Sequence, residues 1–147
     1  MERLAVAAVL LGGAVVLALV LRRRRPDEPV PTSWAVPTWV ERSDFASPDT
    51  PWLVAVFTSA TCRSCQSTME KAGPLASDDV VVVEVEVGAR PDLHERYGIE
   101  AVPTLVIADA EGAVRGSFLG PPTAAELWAR VAEARDEALG DGATDPP

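Results

Sequence analysis

The sequence predicts an α/β domain, three layers deep around a central mixed β-sheet and preceded by one transmembrane helix. Three observations carry this expectation. The residues from Leu4 to Leu21 form an apolar run without a charged side chain. Further along, apolar β-forming runs alternate with helical stretches in the order β-α-β-α-β-β-α. Directly after the first of those runs stand the chain's 2 cysteines, Cys62 and Cys65. A parallel strand pair joined by a helical crossover, followed by a closing hairpin, implies a sheet with helices on both faces.

Residues 1–3 form a short tail, and the apolar run at 4–21 (LAVAAVLLGGAVVLALVL) follows. As a helix it is roughly 27 Å long, close to the ~30 Å hydrocarbon core of a bilayer. A cleaved leader would carry its positive charge before the apolar run. Here Glu2 and Arg3 precede it and Arg22, Arg23, Arg24 and Arg25 follow, so the run reads as an anchor. Positive flanks stay on the cytoplasmic side, which favours the N-terminus outside and the domain in the cytoplasm, the alternative being an extracytoplasmic domain. Residues 22–37 form a basic, proline-rich linker, with Pro26, Pro29, Pro31 and Pro37 keeping it extended. Trp34 and Trp39 are expected to pack on the edge of the following domain, the alternative being anchors at the membrane surface.

The domain occupies 38–139. A helical turn over 40–46 is ended by Pro48 and Pro51. Residues 52–57 (WLVAVF) are apolar throughout, as in a strand buried on both faces. A helix over 62–72 carries Cys65, Met69 and Ala72 on one face. A second strand runs over 80–87 (VVVVEVEV), and a short helix over 92–97 is terminated by Gly98. Residues 104–108 and 114–119 are strands joined by the Glu111-Gly112 turn. Thr123 and Glu126 form a capping box that opens the last helix. That helix has Ala124, Leu127, Trp128, Val131 and Ala138 at helical spacing. Residues 140–147 read as a polar, disordered tail.

After residue 25 the chain holds 8 basic and 21 acidic residues. Such a domain repels phosphate backbones, which argues against nucleic-acid binding. Two cysteines three residues apart close too small a loop to add much stability, so their value is chemical. The strand ends in Thr58-Ser59-Ala60-Thr61, which puts Cys62 at a helix N-terminus. There the helix dipole and free amide groups favour a thiolate, and Arg63 adds positive charge. Cys65, one turn further on the same face, is within reach of Cys62. The outer sulfur would attack a disulfide and the inner one would resolve the mixed disulfide. A second signal is Ile99-Glu100-Ala101-Val102-Pro103-Thr104, where a proline at a strand entry is compatible with a cis bond.

With these residues in place the sequence resembles the thioredoxin family. The matching positions are Phe57, Cys62-Arg63-Ser64-Cys65, Tyr97-Gly98-Ile99, Val102-Pro103-Thr104 and Gly120. The resemblance implies a thioredoxin-like fold and thiol–disulfide exchange with a disulfide- or dithiol-containing partner protein. It also implies a cis Val102–Pro103 bond facing the cysteines, with Pro103 on the substrate rim and Val102 offering its backbone to substrate. No cofactor and no bound metal are expected. Three departures stand out. Thr61 replaces the family's usual tryptophan, Arg63-Ser64 replaces Gly-Pro, and Val56 stands where the family has a buried acid. Glu84 falls where the family usually has a lysine, and it is the candidate for supplying the missing carboxylate as proton acceptor, the alternative being a simple solvated strand residue. Two other readings compete. Cys62, Cys65 and His94 could hold zinc or copper, although a structural zinc site wants four ligands and His94 lies in a polar stretch expected to be exposed. The other is a redox-inert interaction domain on the same fold.

Overall fold

A computed structural model describes residues 35–142. The predicted membrane helix, the arginine cluster, Trp34 and residues 143–147 lie outside them. Among the described residues no helix is long and apolar enough to cross a membrane.

Four strands form one sheet: β1 (Trp52–Thr58), β2 (Val80–Glu86), β3 (Thr104–Ala108) and β4 (Val114–Leu119), in the order β2-β1-β3-β4. β1 runs parallel to β2 and antiparallel to β3, and β3 pairs antiparallel with β4. The sheet is therefore mixed, as the sequence predicts. The parallel pair is connected by helix α1 (Arg63–Ala72), which leads into a 3-10 turn at Gly73–Leu75. Helix α2 (Pro91–Arg96) joins β2 to β3, and α3 (Ala124–Gly142) closes the chain.

Alternation along β1 sorts the core into two layers. Trp52, Val54 and Val56 pack with Ala72 of α1 and with Leu127, Val131 and Ala134 of α3. Leu53, Ala55 and Phe57 face the other way, onto Val40, Phe45 and Leu93 of α2. Because both faces of β1 are covered, all seven of its residues are buried.

Local chemistry sets the boundaries. The Thr123–Glu126 capping box forms: Thr123 N donates to the Glu126 carboxylate at 2.8 Å, and Glu126 N donates to Thr123 Oγ1 at 3.2 Å. Gly98 ends α2 with a positive φ of 62°. Gly112 (φ 89°) turns the β3–β4 hairpin, and its carbonyl accepts from Val40 N at 2.8 Å. A Cβ at Gly112 would collide with the Val40 carbonyl, so only glycine fits. The helical turn foreseen over 40–46 is a 3-10 turn at Arg42–Asp44. It is held by the buried Arg42 guanidinium, which donates to the Asp109 and Thr50 carbonyls at 2.7 Å each.

Two expectations are corrected. The chain does not leave its helix at residue 140: α3 continues to Gly142, so 140–142 are helical rather than part of a disordered tail. His94 is not exposed. It is 6% accessible, with Nε2 2.8 Å from the Val85 carbonyl and its ring edge-on to Phe57 at 5.2 Å. The hydrophilic look of Leu93-His94-Glu95-Arg96 misleads because helical geometry turns Leu93 and His94 together onto the sheet. Trp39 lies on the domain edge as expected, its indole N–H donating to the Glu111 carbonyl at 3.0 Å.

Candidate functional site

β1 delivers the site. Its last residue, Thr58, is buried, and the chain then turns through Ser59-Ala60-Thr61 into α1. Cys62 caps that helix from an extended backbone (φ −87°, ψ 107°), and its Sγ accepts the Cys65 N–H at 3.1 Å. A sulfur thus occupies the place of the usual capping oxygen, at the positive end of a ten-residue helix with no acid in its first turn. Cys62 and Cys65 are joined as a disulfide, with Cα atoms 5.3 Å apart. Their exposures differ in the sense that exchange chemistry needs. Cys65 is 2% accessible, whereas Cys62 is partly open to solvent.

Pro103, which is buried, stands immediately before β3. The Val102–Pro103 peptide is cis, and the following residue, Thr104, is the register partner of Phe57 near the end of β1. The proline turn and the cysteine-bearing loop therefore leave the same end of adjacent strands. Val102 is half-buried, packed against the layer of core that holds Phe57. The proline turn is held from its far side by Gly120 N, which donates to the Pro103 carbonyl at 2.8 Å, and Thr104 Oγ1 donates to Ala101 O at 2.8 Å.

Glu84 is the register partner of Val56, so a carboxylate on β2 stands beside the position where the acid is missing from β1. Its Oε1 accepts a hydrogen bond from Thr58 Oγ1 at 2.9 Å. Glu84 and both cysteines line one groove of about 430 Å³, together with Ser59, Ala60, Thr61, Arg63, Gln66 and Met69. His94 is turned away from the sulfurs, onto Val85 and Phe57. Among the described residues no group of three or more His, Cys, Asp or Glu side chains is placed to hold a metal ion.

Sequence reasoning missed two supports of the site, Thr58 and Glu86. Glu86 Oε1 accepts from Ala60 N at 3.1 Å and Oε2 from Ala89 N at 3.0 Å. The only signal in the sequence was their position at the polar ends of two apolar runs, and the bonds that tie them across the site, Thr58–Glu84 and Ala60–Glu86, each span 26 residues. Backbone N–H groups of Gly88 and then Ala60 hold the Glu86 carboxyl below the usual carboxylate range. A folded-state value below the unfolded one adds stability above the unfolded pKa, and that stability is lost as pH falls through the folded value. Acidification therefore releases the Ala60 N–H and loosens the loop carrying Cys62. The stability difference between wild type and Glu86→Gln is expected to be largest near neutral pH and to shrink as pH falls below the ordinary carboxylate range. Denaturant unfolding across that range, with a pH-independent difference counting against the clamp, is the check.

Tyr97 braces the other flank. Its hydroxyl donates to Asp44 Oδ2 at 2.5 Å and accepts from Glu41 N at 3.0 Å, and its ring lies 6.2 Å from that of Phe57. Burial, reinforced by the Asp44 carboxylate, pushes the phenol up to about 12.

The family model for thioredoxin matches residues 42–133. No curated protein matches the chain. Similar solved structures include the germline-specific thioredoxin Deadhead of Drosophila melanogaster, at 26% identity and a TM-score of 0.53, covering 58% of this chain and 83% of that one. A mutant thioredoxin from Halobacterium salinarum is 25% identical with a TM-score of 0.53, covering 59% and 77%. Spinach chloroplast thioredoxin f is 23% identical with a TM-score of 0.54, covering 65% and 84%, a likeness of fold.

Proposed function

Because this chain belongs to the thioredoxin family, we propose that it is a thiol–disulfide oxidoreductase, tethered to a membrane, that exchanges disulfides with a partner protein. The observation that carries this is the asymmetric pair at the start of α1, a partly exposed Cys62 bonded to a buried Cys65. In the reducing direction the Cys62 thiolate attacks one sulfur of the partner's disulfide, and the other partner sulfur leaves as a thiolate. Cys65 then attacks Cys62 Sγ, closing the Cys62–Cys65 bond and expelling the second partner sulfur. Two electrons pass from the pair to the partner. Run backwards, the same steps oxidise a dithiol.

Pro103, whose nitrogen carries no hydrogen, shapes the rim on which a partner segment lies, and Val102 offers its backbone beside it. Glu84 accepts the proton that Cys65 must lose before it can attack. Its support is the shared groove, the register with Val56 and the Thr58 hydrogen bond that holds the carboxylate. Glu84→Gln is expected to slow resolution of a mixed disulfide on Cys62 roughly tenfold to a hundredfold, at or below the lower end of general-base effects. Stopped-flow release of a chromophoric thiol, followed from about pH 6 to about pH 9, measures it. An unchanged rate removes Glu84 from the mechanism.

The tether is the apolar run from Leu4 to Leu21, and Arg22 to Arg25 favour a cytoplasmic domain. A reporter fused after Pro147 tests the side, with activity confined to the exterior counting against this orientation. For the activity itself, a redox titration of the full chain should give one two-electron midpoint for the cysteine pair. Metal analysis on the same sample tests the competing reading. Stoichiometric zinc or copper would favour a metal-binding module, and neither signal would favour a redox-inert domain.

A further inference from the structure

The groove beside the disulfide is lined by two side chains of opposite charge, Arg63 and Glu84. Arg63, in the first turn of α1, and Glu84, from β2, both line it and are both exposed. The two do not pair with each other. Arg63 makes no hydrogen bond or ion pair among the described residues, and Glu84 is bonded through Oε1 alone, to Thr58. Gln66, Ser59 and Thr61 line the same groove, with Met69 and Cys65 among its other residues. Opposite charges left unpaired around one small cavity match a ligand that carries the complementary charges together. At about 430 Å³ the groove equals the liquid volume of roughly fourteen waters. That is ample for one amino-acid-sized molecule.

We propose that this groove binds a low-molecular-weight amino-acid thiol, with its carboxylate toward Arg63 and its ammonium toward Glu84, and that this thiol supplies electrons to the cysteine pair. The inference rests on thiol–disulfide exchange being the protein's activity. The thiolate sulfur attacks Cys62 Sγ, so that a bond forms between the ligand and Cys62. The Cys62–Cys65 bond breaks, and its electron pair leaves on Cys65 Sγ, which takes up a proton. A second molecule of the thiol attacks the ligand sulfur of the mixed disulfide. The low-molecular-weight disulfide departs, and Cys62 leaves as a thiolate. Two thiols are oxidised to one disulfide, the protein pair gains two electrons, and the two thiol protons account for the reduced cysteines.

Four thiols dissect the site: cysteine, cysteamine, mercaptopropionate and mercaptoethanol, which carry both charges, the ammonium only, the carboxylate only and neither. Reduction of the oxidised full chain is followed by alkylation and mass spectrometry, with rates compared at equal thiolate concentration. Each matched charge is expected to speed reduction about two- to fivefold, the range of exposed ion pairs, with cysteine the fastest. Arg63→Gln should abolish the preference for cysteine over cysteamine and keep that for cysteine over mercaptopropionate. Glu84→Gln should do the reverse. These are ratios within one variant, so a change common to all four thiols cancels. Rates that follow thiolate basicity alone, or preferences that survive both substitutions, overturn the site. If those results accompany normal exchange with a disulfide-bonded protein such as insulin, only the groove assignment falls. If neither the thiols nor insulin exchange with the pair, the oxidoreductase reading falls with it.

Discussion

Cys65→Ser is expected to stop turnover while leaving the first chemical step intact. Cys62, the more exposed cysteine, still attacks a partner disulfide, but the only sulfur placed to displace that partner is gone. A neighbouring thiol held in register acts as though at a very high local concentration. Losing it should lower turnover at least about a hundredfold and accumulate a covalent complex through Cys62, visible on a non-reducing gel and released by reductant. Cys62→Ser should abolish turnover and form no complex. Turnover by Cys65→Ser within a few-fold of wild type would mean that resolution does not pass through Cys65.

The largest stability effect should come from Phe57→Ala. Phe57 is fully buried, meets the rings of His94 and Tyr97, and sits one residue before Thr58. Truncating a buried aromatic side chain costs about 3–5 kcal/mol, a large part of the ~5–15 kcal/mol that holds a typical domain together. Equilibrium unfolding in urea should show a lower midpoint with an unchanged slope. A loss below about 1 kcal/mol would mean that the core closes around the gap.

The strands were legible because local pattern and tertiary role agree. Trp52–Thr58 is apolar on both faces since helices cover both, and the valines of Val80–Glu86 suit a strand whatever covers them. The cysteine pair was legible for a related reason. A strand, a short polar loop and a helix fix where Cys62 must stand, and the cap it forms needs only nearest neighbours. What stayed hidden depends on contacts between segments far apart in sequence. The Thr58–Glu84 bond spans 26 residues, as does the bond from Ala60 to Glu86. His94 reads as solvent-facing because its neighbours Glu95 and Arg96 are polar, and its burial follows from the sheet beneath α2. The stop expected at Gly140 failed because a single glycine lowers helix propensity by only about 1 kcal/mol and does not by itself end a helix.

The segment just before the 3-10 turn carries a mechanical consequence. Val40 N donates to Gly112 O and Val114 N to Thr38 O, stitching the entering chain to the hairpin at the β4 side of the sheet. A pull transmitted from residues before 35 is taken up first by those two bonds and by the Trp39 indole, then by the Arg42 guanidinium. β3 and β4 stand between that seam and β1. A force entering at residue 35 would therefore meet the β3–β4 hairpin before the loop that carries the sulfurs.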